Sequence, residues 1–152
     1  MLFRSMANVI QSMVLTDGSR MVLTPSYYVY KLYLPFQDAR LIPVTLDAGQ
    51  YNFEGVTLPQ VDGIAARGKD GRIYVALTNL DPNRDTILRV TVPGFAAKSA
   101  RGQTLTAARV DSVNTFDAPD TVVPRPFSAR TMRGALELKL PSKSVTVVEL
   151  GQ

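Results

Sequence analysis

From about residue 41 onward the apolar positions of this chain recur every second residue. In Arg72-Ile73-Tyr74-Val75-Ala76-Leu77-Thr78 the alternation sets Ile73, Val75 and Leu77 on one face and Arg72, Tyr74 and Thr78 on the other, which is the period of a half-buried strand. Residues 86–92 set Leu88, Val90 and Val92 against Ile87, Arg89 and Thr91, residues 135–140 set Leu136, Leu138 and Leu140 against Glu137 and Lys139, and residues 144–150 are rich in β-branched side chains. Turn formers stand between these runs: Lys69-Asp70-Gly71, Asp81-Pro82-Asn83, Pro93-Gly94 and Leu140-Pro141-Ser142-Lys143. Short strands with such punctuation, and no helical period among them, predict a mainly β fold, an antiparallel β-sandwich. The longest irregular stretch is 114–126, with three prolines.

The first forty residues differ. Val9-Ile10-Gln11-Ser12-Met13-Val14-Leu15 and Met21-Val22-Leu23 are apolar runs separated by the turn signal Thr16-Asp17-Gly18-Ser19, a pattern that fits a hairpin. Thr24-Pro25 has the form of a helix N-cap followed by proline at the first helical position. Residues 26–34 carry Tyr27, Tyr30 and Leu34, or alternatively Val29 and Tyr33, at helical spacing before Pro35. This predicts a strand–turn–helix segment with the helix over 25–34.

Composition narrows the chemistry. The 152 residues contain no His, no Cys and no Trp, which excludes an imidazole base, a thiol nucleophile, a zinc–thiolate site and a disulfide. Any reaction here would fall to carboxylates, hydroxyls, Tyr, Lys or Arg. Lys and Arg number 17 against 13 acids, a net charge of +4. The arginines are spread along the chain, densest at Arg125, Arg130 and Arg133 with no acid among them; a nucleic-acid footprint is usually a denser stripe with aromatics interleaved, so they read as solvated strand faces. No apolar run approaches the ~20 residues of a membrane span, and Met1-Leu2-Phe3-Arg4-Ser5-Met6-Ala7 lacks the layout of a signal peptide. The expectation is a cytoplasmic protein with no nucleic-acid or membrane partner. No glycine-rich phosphate loop or acidic metal cluster is present, so no cofactor and no metal are expected.

Three blocks carry a more specific signal. Asn8-Val9-Ile10-Gln11-Ser12-Met13-Val14-Leu15-Thr16-Asp17-Gly18 followed by Met21-Val22-Leu23-Thr24-Pro25-Ser26-Tyr27-Tyr28-Val29-Tyr30-Lys31-Leu32-Tyr33 is the first. Asp70-Gly71-Arg72-Ile73-Tyr74-Val75-Ala76-Leu77-Thr78-Asn79-Leu80-Asp81 is the second. Val113-Asn114-Thr115-Phe116-Asp117-Ala118-Pro119-Asp120-Thr121-Val122-Val123-Pro124, with the later Leu140-Pro141-Ser142-Lys143-Ser144-Val145, is the third. In this order they resemble the C-terminal part of the α-L-arabinofuranosidases of glycoside hydrolase family 51. The resemblance implies a (β/α)8 barrel followed by a jelly-roll β-sandwich. Residues 1–38 would then be a remnant of the barrel's last β/α unit, with its strand over 8–16, and residues 39–152 the sandwich. One departure is Tyr28, where the family usually has His.

The family's reaction is retaining hydrolysis of terminal arabinofuranosyl groups of arabinoxylan or arabinan by two glutamates, an acid/base and a nucleophile about 5–5.5 Å apart. The resemblance places both upstream of the block at Asn8, and no residue here matches either motif. It therefore implies an accessory domain that is structural or oligomerising on its own, with arabinose- or xylose-containing polysaccharide reached through the parent enzyme. A second copy or the barrel domain would cover residues 9–15. The alternative is a small stand-alone glycosidase or carbohydrate-binding protein acting on xylan-type polysaccharide. Its catalytic candidates are Glu54, beside Tyr51 and Phe53 in a predicted loop, with Asp117 or Asp120 flanking Pro119. Turn residues that hydrogen-bond their own backbone are the simpler reading of the two aspartates. Carbohydrate-binding candidates are Tyr51, Phe53, Arg72 and Tyr74, although an outward tyrosine on a strand is more often a cross-strand packing residue. Glu137 and Glu149 read as solvent-facing or as polar members of an edge, Phe116 as an anchor for the long loop, and the helix tyrosines as core or interface.

Overall fold

The period-two segments become strands of one curled sheet that folds over into two layers. The structure, a computed structural model, describes residues 12–46, 48–132 and 135–152. Residues 9–11 of the first apolar run lie outside them. Strands β3 (Arg40–Ile42), β6 (Val61–Arg67), β7 (Ile73–Asn79), β8 (Thr86–Val90), β9 (Ser99–Leu105), β10 (Arg125–Met132), β11 (Ala135–Leu140) and β12 (Ser144–Gly151) form an eight-stranded antiparallel sheet in the order β3-β6-β7-β12-β9-β10-β11-β8. Strand β10 is the corner. Its residues 125–130 pair with β9, and Thr131 pairs with Leu136 of β11. One layer is thus β3-β6-β7-β12-β9, the other β11-β8, and their inner faces enclose the core.

That core is the set the alternation marks. Ile73, Val75 and Leu77 of β7 and Val148 and Leu150 of β12 meet Leu88 of β8 and Leu136, Leu138 and Leu140 of β11. Each fully buried leucine contributes roughly 1.5–3 kcal/mol of apolar transfer. Polar residues are buried within these central strands too: the hydroxyls of Thr104 and Thr146 meet at 2.7 Å, and Asn79 and Ser144 are paired across β7 and β12.

Two further hairpins stand apart from the sheet. β1 (Val14–Asp17) and β2 (Arg20–Leu23) form the first, closed by an ion pair between Asp17 and Arg20. β4 (Gln50–Phe53) and β5 (Val56–Pro59) form the second. The segment 51–55, expected as a loop, is therefore a strand and a tight turn. Glu54 and Gly55 both have positive φ, 45° and 82°, as a two-residue type I′ turn requires, and glycine supplies the second at no steric cost.

The helix α1 spans Pro25–Leu32, two residues shorter than expected, and a 3-10 turn follows at Leu34–Phe36. Pro35 explains this: it has no N–H to continue the ladder and disfavours helical geometry in Leu34. Thr24 occupies the N-cap position but makes no capping bond. Its hydroxyl instead donates to the carbonyls of Ser12 and Met13, tying the helix start to the first hairpin. Of the two spacings in the sequence the Val29/Tyr33 face is the packed one. Leu32 is buried with Ala76, Leu105 and Val147 on the outside of the first layer, and Tyr28, Val29, Tyr33 and Phe36 pack around it. Tyr30 and Leu34 remain 60% and 61% exposed. No helix among the described residues is long and apolar enough to cross a membrane.

Candidate functional site

The outer face of the first layer is only partly covered by α1, and Arg72 and Tyr74 lie at the edge of that cover. Strand register sets a row Tyr74–Glu149–Arg101 across β7, β12 and β9. The Tyr74 hydroxyl donates to Asp70 Oδ2 at 2.6 Å, the Arg72 N–H donates to Asp70 Oδ1 at 3.0 Å, and Arg72 Nη1 donates to Glu149 Oε2 at 2.9 Å. The Tyr74 hydroxyl, followed by the Arg72 N–H and guanidinium, holds the Asp70 carboxyl below the ordinary aspartate range. Giving that hydrogen bond raises the Tyr74 phenol, and Glu149 raises Arg72. The Tyr74 ring lies 6.5 Å from that of Phe36. Tyr74 is thus a packed and hydrogen-bonded cross-strand residue. Together with Pro35 it lines both of two adjoining open clefts, of about 550 Å³ and 250 Å³.

Tyr51, Phe53 and Glu54 sit together on the second hairpin, Tyr51 half-buried, Phe53 and Glu54 exposed, Glu54 at its tip. Asp117 and Asp120 are exposed on the long irregular segment between β9 and β10. The turn there is not closed by aspartate side chains. Thr115 and Ala118 exchange backbone hydrogen bonds, and the hydroxyls of Thr115 and Thr121 bond the N–H and C=O of Ala118. Phe116 is half-buried beneath the Arg20 guanidinium of the first hairpin, 4.9 Å from the ring centroid. A second anchor of the loop is Asn114, which is buried. Its Oδ1 accepts from the Val122 N–H at 2.7 Å, and its Nδ2 donates to the carbonyls of Leu23 and Val122 at 2.8 and 3.0 Å. Asparagine satisfying both strands of a loop leaves no periodic signal, so pattern reading passes over it.

No hydrogen bond or ion pair joins Glu54 to Asp117 or Asp120 among the described residues. A glycosidase acid needs a raised pKa beside an ionised partner. Among the described residues every carboxyl whose pKa clearly moves does so downward: Asp70, Asp81, Asp85 and Asp111. Glu137 and Glu149 pair with Arg89 and Arg72. Neither lies on an edge, since β11 sits between β10 and β8 and β12 between β7 and β9. Among the described residues no group of three or more acidic side chains is placed to hold a metal. A further cavity of about 310 Å³ lies at the seam where β3 and β8 approach, lined chiefly by Ile42, Val44, Leu46, Leu77, Leu88 and Val90. Thr45, Arg89 and Thr91 also line it, and no carboxylate does.

Comparison with known proteins supplies what the site does not. A family model described as the alpha-L-arabinofuranosidase C-terminal domain matches residues 5–144. An intracellular exo-alpha-L-arabinofuranosidase of Bacteroides ovatus is 38% identical over 145 residues, which are 94% of this chain and 28% of that protein. Among solved structures, the GH51 arabinofuranosidase from Xanthomonas axonopodis pv. citri superimposes with a TM-score of 0.88 at 40% identity, over 93% of this chain and 29% of that one. The thermostable GH51 alpha-L-arabinofuranosidase from Thermotoga petrophila RKU-1 shares the fold, with a TM-score of 0.77 at 22% identity over 93% of this chain and 32% of that one. The chain therefore spans less than a third of the length of these relatives. With the family model matching nearly the whole chain and a solved relative at 40% identity superimposing on its curled sheet, this chain belongs to the family of C-terminal β-sandwich domains of glycoside hydrolase family 51 arabinofuranosidases.

Proposed function

We propose that this chain serves a retaining enzyme that removes terminal arabinofuranosyl groups from arabinoxylan or arabinan, and that its own part is structural. Residues 1–38 act as the last β/α unit of a barrel and 39–152 as the sandwich that packs against it. The catalytic pair belongs to the barrel. The observation that carries this reading is the one-sided packing of α1. Leu32 and its neighbours seal onto the sheet, while Tyr30 of the helix, Leu34 of the turn that follows it and Met21 of the first hairpin stay exposed, at 60%, 61% and 63%. A short helix with apolar surface on two sides fits a position between two bodies. The first hairpin, hydrogen-bonded to no strand of the main sheet, fits the same position. A barrel or a second copy would cover residues 9–15. Like the Bacteroides ovatus relative, the protein would work inside the cell.

The test is a chimera in which this chain replaces the matching 28% of the Bacteroides ovatus arabinofuranosidase. Arabinose release from arabinan by the chimera, with none from this chain alone, is the expected result. An inactive but folded chimera, or arabinose release by this chain alone that Glu54→Gln abolishes, overturns the reading.

A further inference from the structure

We propose that the two clefts beside Pro35 and Tyr74 form one groove that binds a neutral, hydroxyl-rich oligosaccharide, a site separate from any barrel chemistry. Contiguity is the first argument. Both clefts are walled by Pro35 and Tyr74, and at about 550 and 250 Å³ they make up, taken together, a ligand-sized depression. The groove begins where α1 stops. The helix seals Ala76 and Val147, and the next cross-strand row, Tyr74–Glu149–Arg101, is left open.

Charge decides the class of ligand. Lys31, Lys69 and Arg101 line the groove on the positive side, and Asp38, Asp70 and Glu149 on the negative side. The signs are interleaved: Lys69 bonds Asp38 at 2.8 Å and Arg72 bonds Glu149 at 2.9 Å. A phosphate or uronate would meet carboxylates wherever it met cations, and a polyamine would meet the reverse. A sugar hydroxyl both donates and accepts, so a lining of mixed sign suits it. Gln37 and Gln103 add amides with the same double capacity. Neither their side chains nor those of Lys31 and Arg101 make a hydrogen bond among the described residues, and all four are exposed.

The floor of the groove is firm. Half-buried Pro35 offers an apolar surface to the C–H face of a sugar ring. Tyr74 is held by its bond to Asp70 and by Phe36. Gly68 lets it sit close: a Cβ there would stand 2.9 Å from the Tyr74 ring. A surface ordered before binding loses less entropy on capture.

Calorimetric titration of this chain with xylohexaose tests the proposal, with an oligogalacturonate of similar length as the charged counterpart. Xylohexaose is expected to bind and the oligogalacturonate not to. In the Arg101→Ala/Gln103→Ala double variant the affinity for xylohexaose should fall at least tenfold with an unchanged melting temperature, while Arg125→Ala, outside the groove, leaves it as it was. Failure of xylohexaose to bind overturns the proposal. So does tighter binding of the oligogalacturonate, which would mark simple attraction to a basic chain, or full affinity in the double variant. The chimera's arabinose release reads the enzyme proposal independently of all three.

Discussion

Asp81 offers a prediction in which structure sets both the size and the pH dependence of an effect. The residue is 2% exposed, in the turn between β7 and β8. Its Oδ1 accepts the N–H groups of Asn83 and Arg84 at 2.8 and 2.9 Å, and its Oδ2 accepts Arg84 Nε at 2.6 Å. Its own carbonyl takes the N–H of Lys143, and its N–H is held by Asn79, whose Nδ2 in turn donates to the carbonyls of Arg84 and Pro141. The turns β7–β8 and β11–β12 are thereby joined. Burial alone would push the Asp81 carboxyl up, but the Asn83 N–H, the Arg84 side chain and the Arg84 N–H outweigh it, and the carboxyl stays below the ordinary value. The two backbone bonds, each to a charged acceptor, are worth about 1.5 kcal/mol apiece. The Arg84 bond adds little, because that side chain is 62% exposed. Asp81→Ala should therefore destabilise by about 3 kcal/mol at neutral pH, a drop of about 9 °C in melting temperature for a chain of this length. A depressed carboxyl contributes stability above its unfolded pKa of about 3.9, and this is lost as pH falls through the lower folded value. Asp81→Asn, which keeps the shape and loses the charge, should cost part of the 3 kcal/mol at pH 7, and the gap from the unsubstituted chain should narrow as the pH falls below the unfolded value of about 3.9. Urea unfolding across that range is the assay. A gap for Asp81→Asn that persists undiminished in acid, or an Asp81→Ala variant as stable as the parent, would refute the reasoning.

Two further outcomes follow from close contacts. A Cβ on Gly102 would stand 2.0 Å from the Val147 carbonyl oxygen and 2.7 Å from Val148 Cα. Backbone of a central strand pair cannot retreat, so Gly102→Ala should cost about 3 kcal/mol or more and strip the chain of cooperative melting. A soluble variant with an unaltered melting curve would count against the closeness of β9 and β12. Tyr74→Phe removes the largest influence holding Asp70 down. The Asp70 carboxyl should then titrate closer to the ordinary aspartate value, as followed by carboxyl carbon NMR, and an unmoved midpoint would show that the Tyr74 hydroxyl does not hold it.

How much of this was written in the pattern of the chain depends on what each strand touches. β7, β8, β11 and β12 were legible because one face of each carries branched apolar residues into the core: Ile73, Val75 and Leu77; Leu88; Leu136, Leu138 and Leu140; Val148 and Leu150. β6 and β9 were not, since they enter the core with Ala65 and Ala100 and carry Gly63 and Gly102, residues with low strand preference that read as irregular. Pro126 hid β10 in the same way. These strands need small residues because the layer is closely approached: a Cβ on Gly63 would meet the Ala76 carbonyl at 2.7 Å. Packing of this kind is a tertiary fact, set by the strand on the other side.

β12 shows where the same reasoning had more to yield. Thr146, Val148 and Leu150 point inward, yet Val145 and Val147 on its opposite face are apolar too. An antiparallel strand that faces solvent on one side alternates, and one that is apolar on both sides is covered on both. The run Val145-Thr146-Val147-Val148 was therefore already a statement that something lies over the outside of this strand, and the helix with Leu32 is what lies there. Glu149 breaks the run at the position where the cover ends. Alternation was also enough to turn Tyr74 and Arg72 outward. It could not say that Glu149 and Arg101 stand beside them, because that depends on the register of three strands distant in sequence. The groove is assembled by that register together with the turn at Asp70 and the stop at Pro35, each of which, taken alone along the chain, is only punctuation.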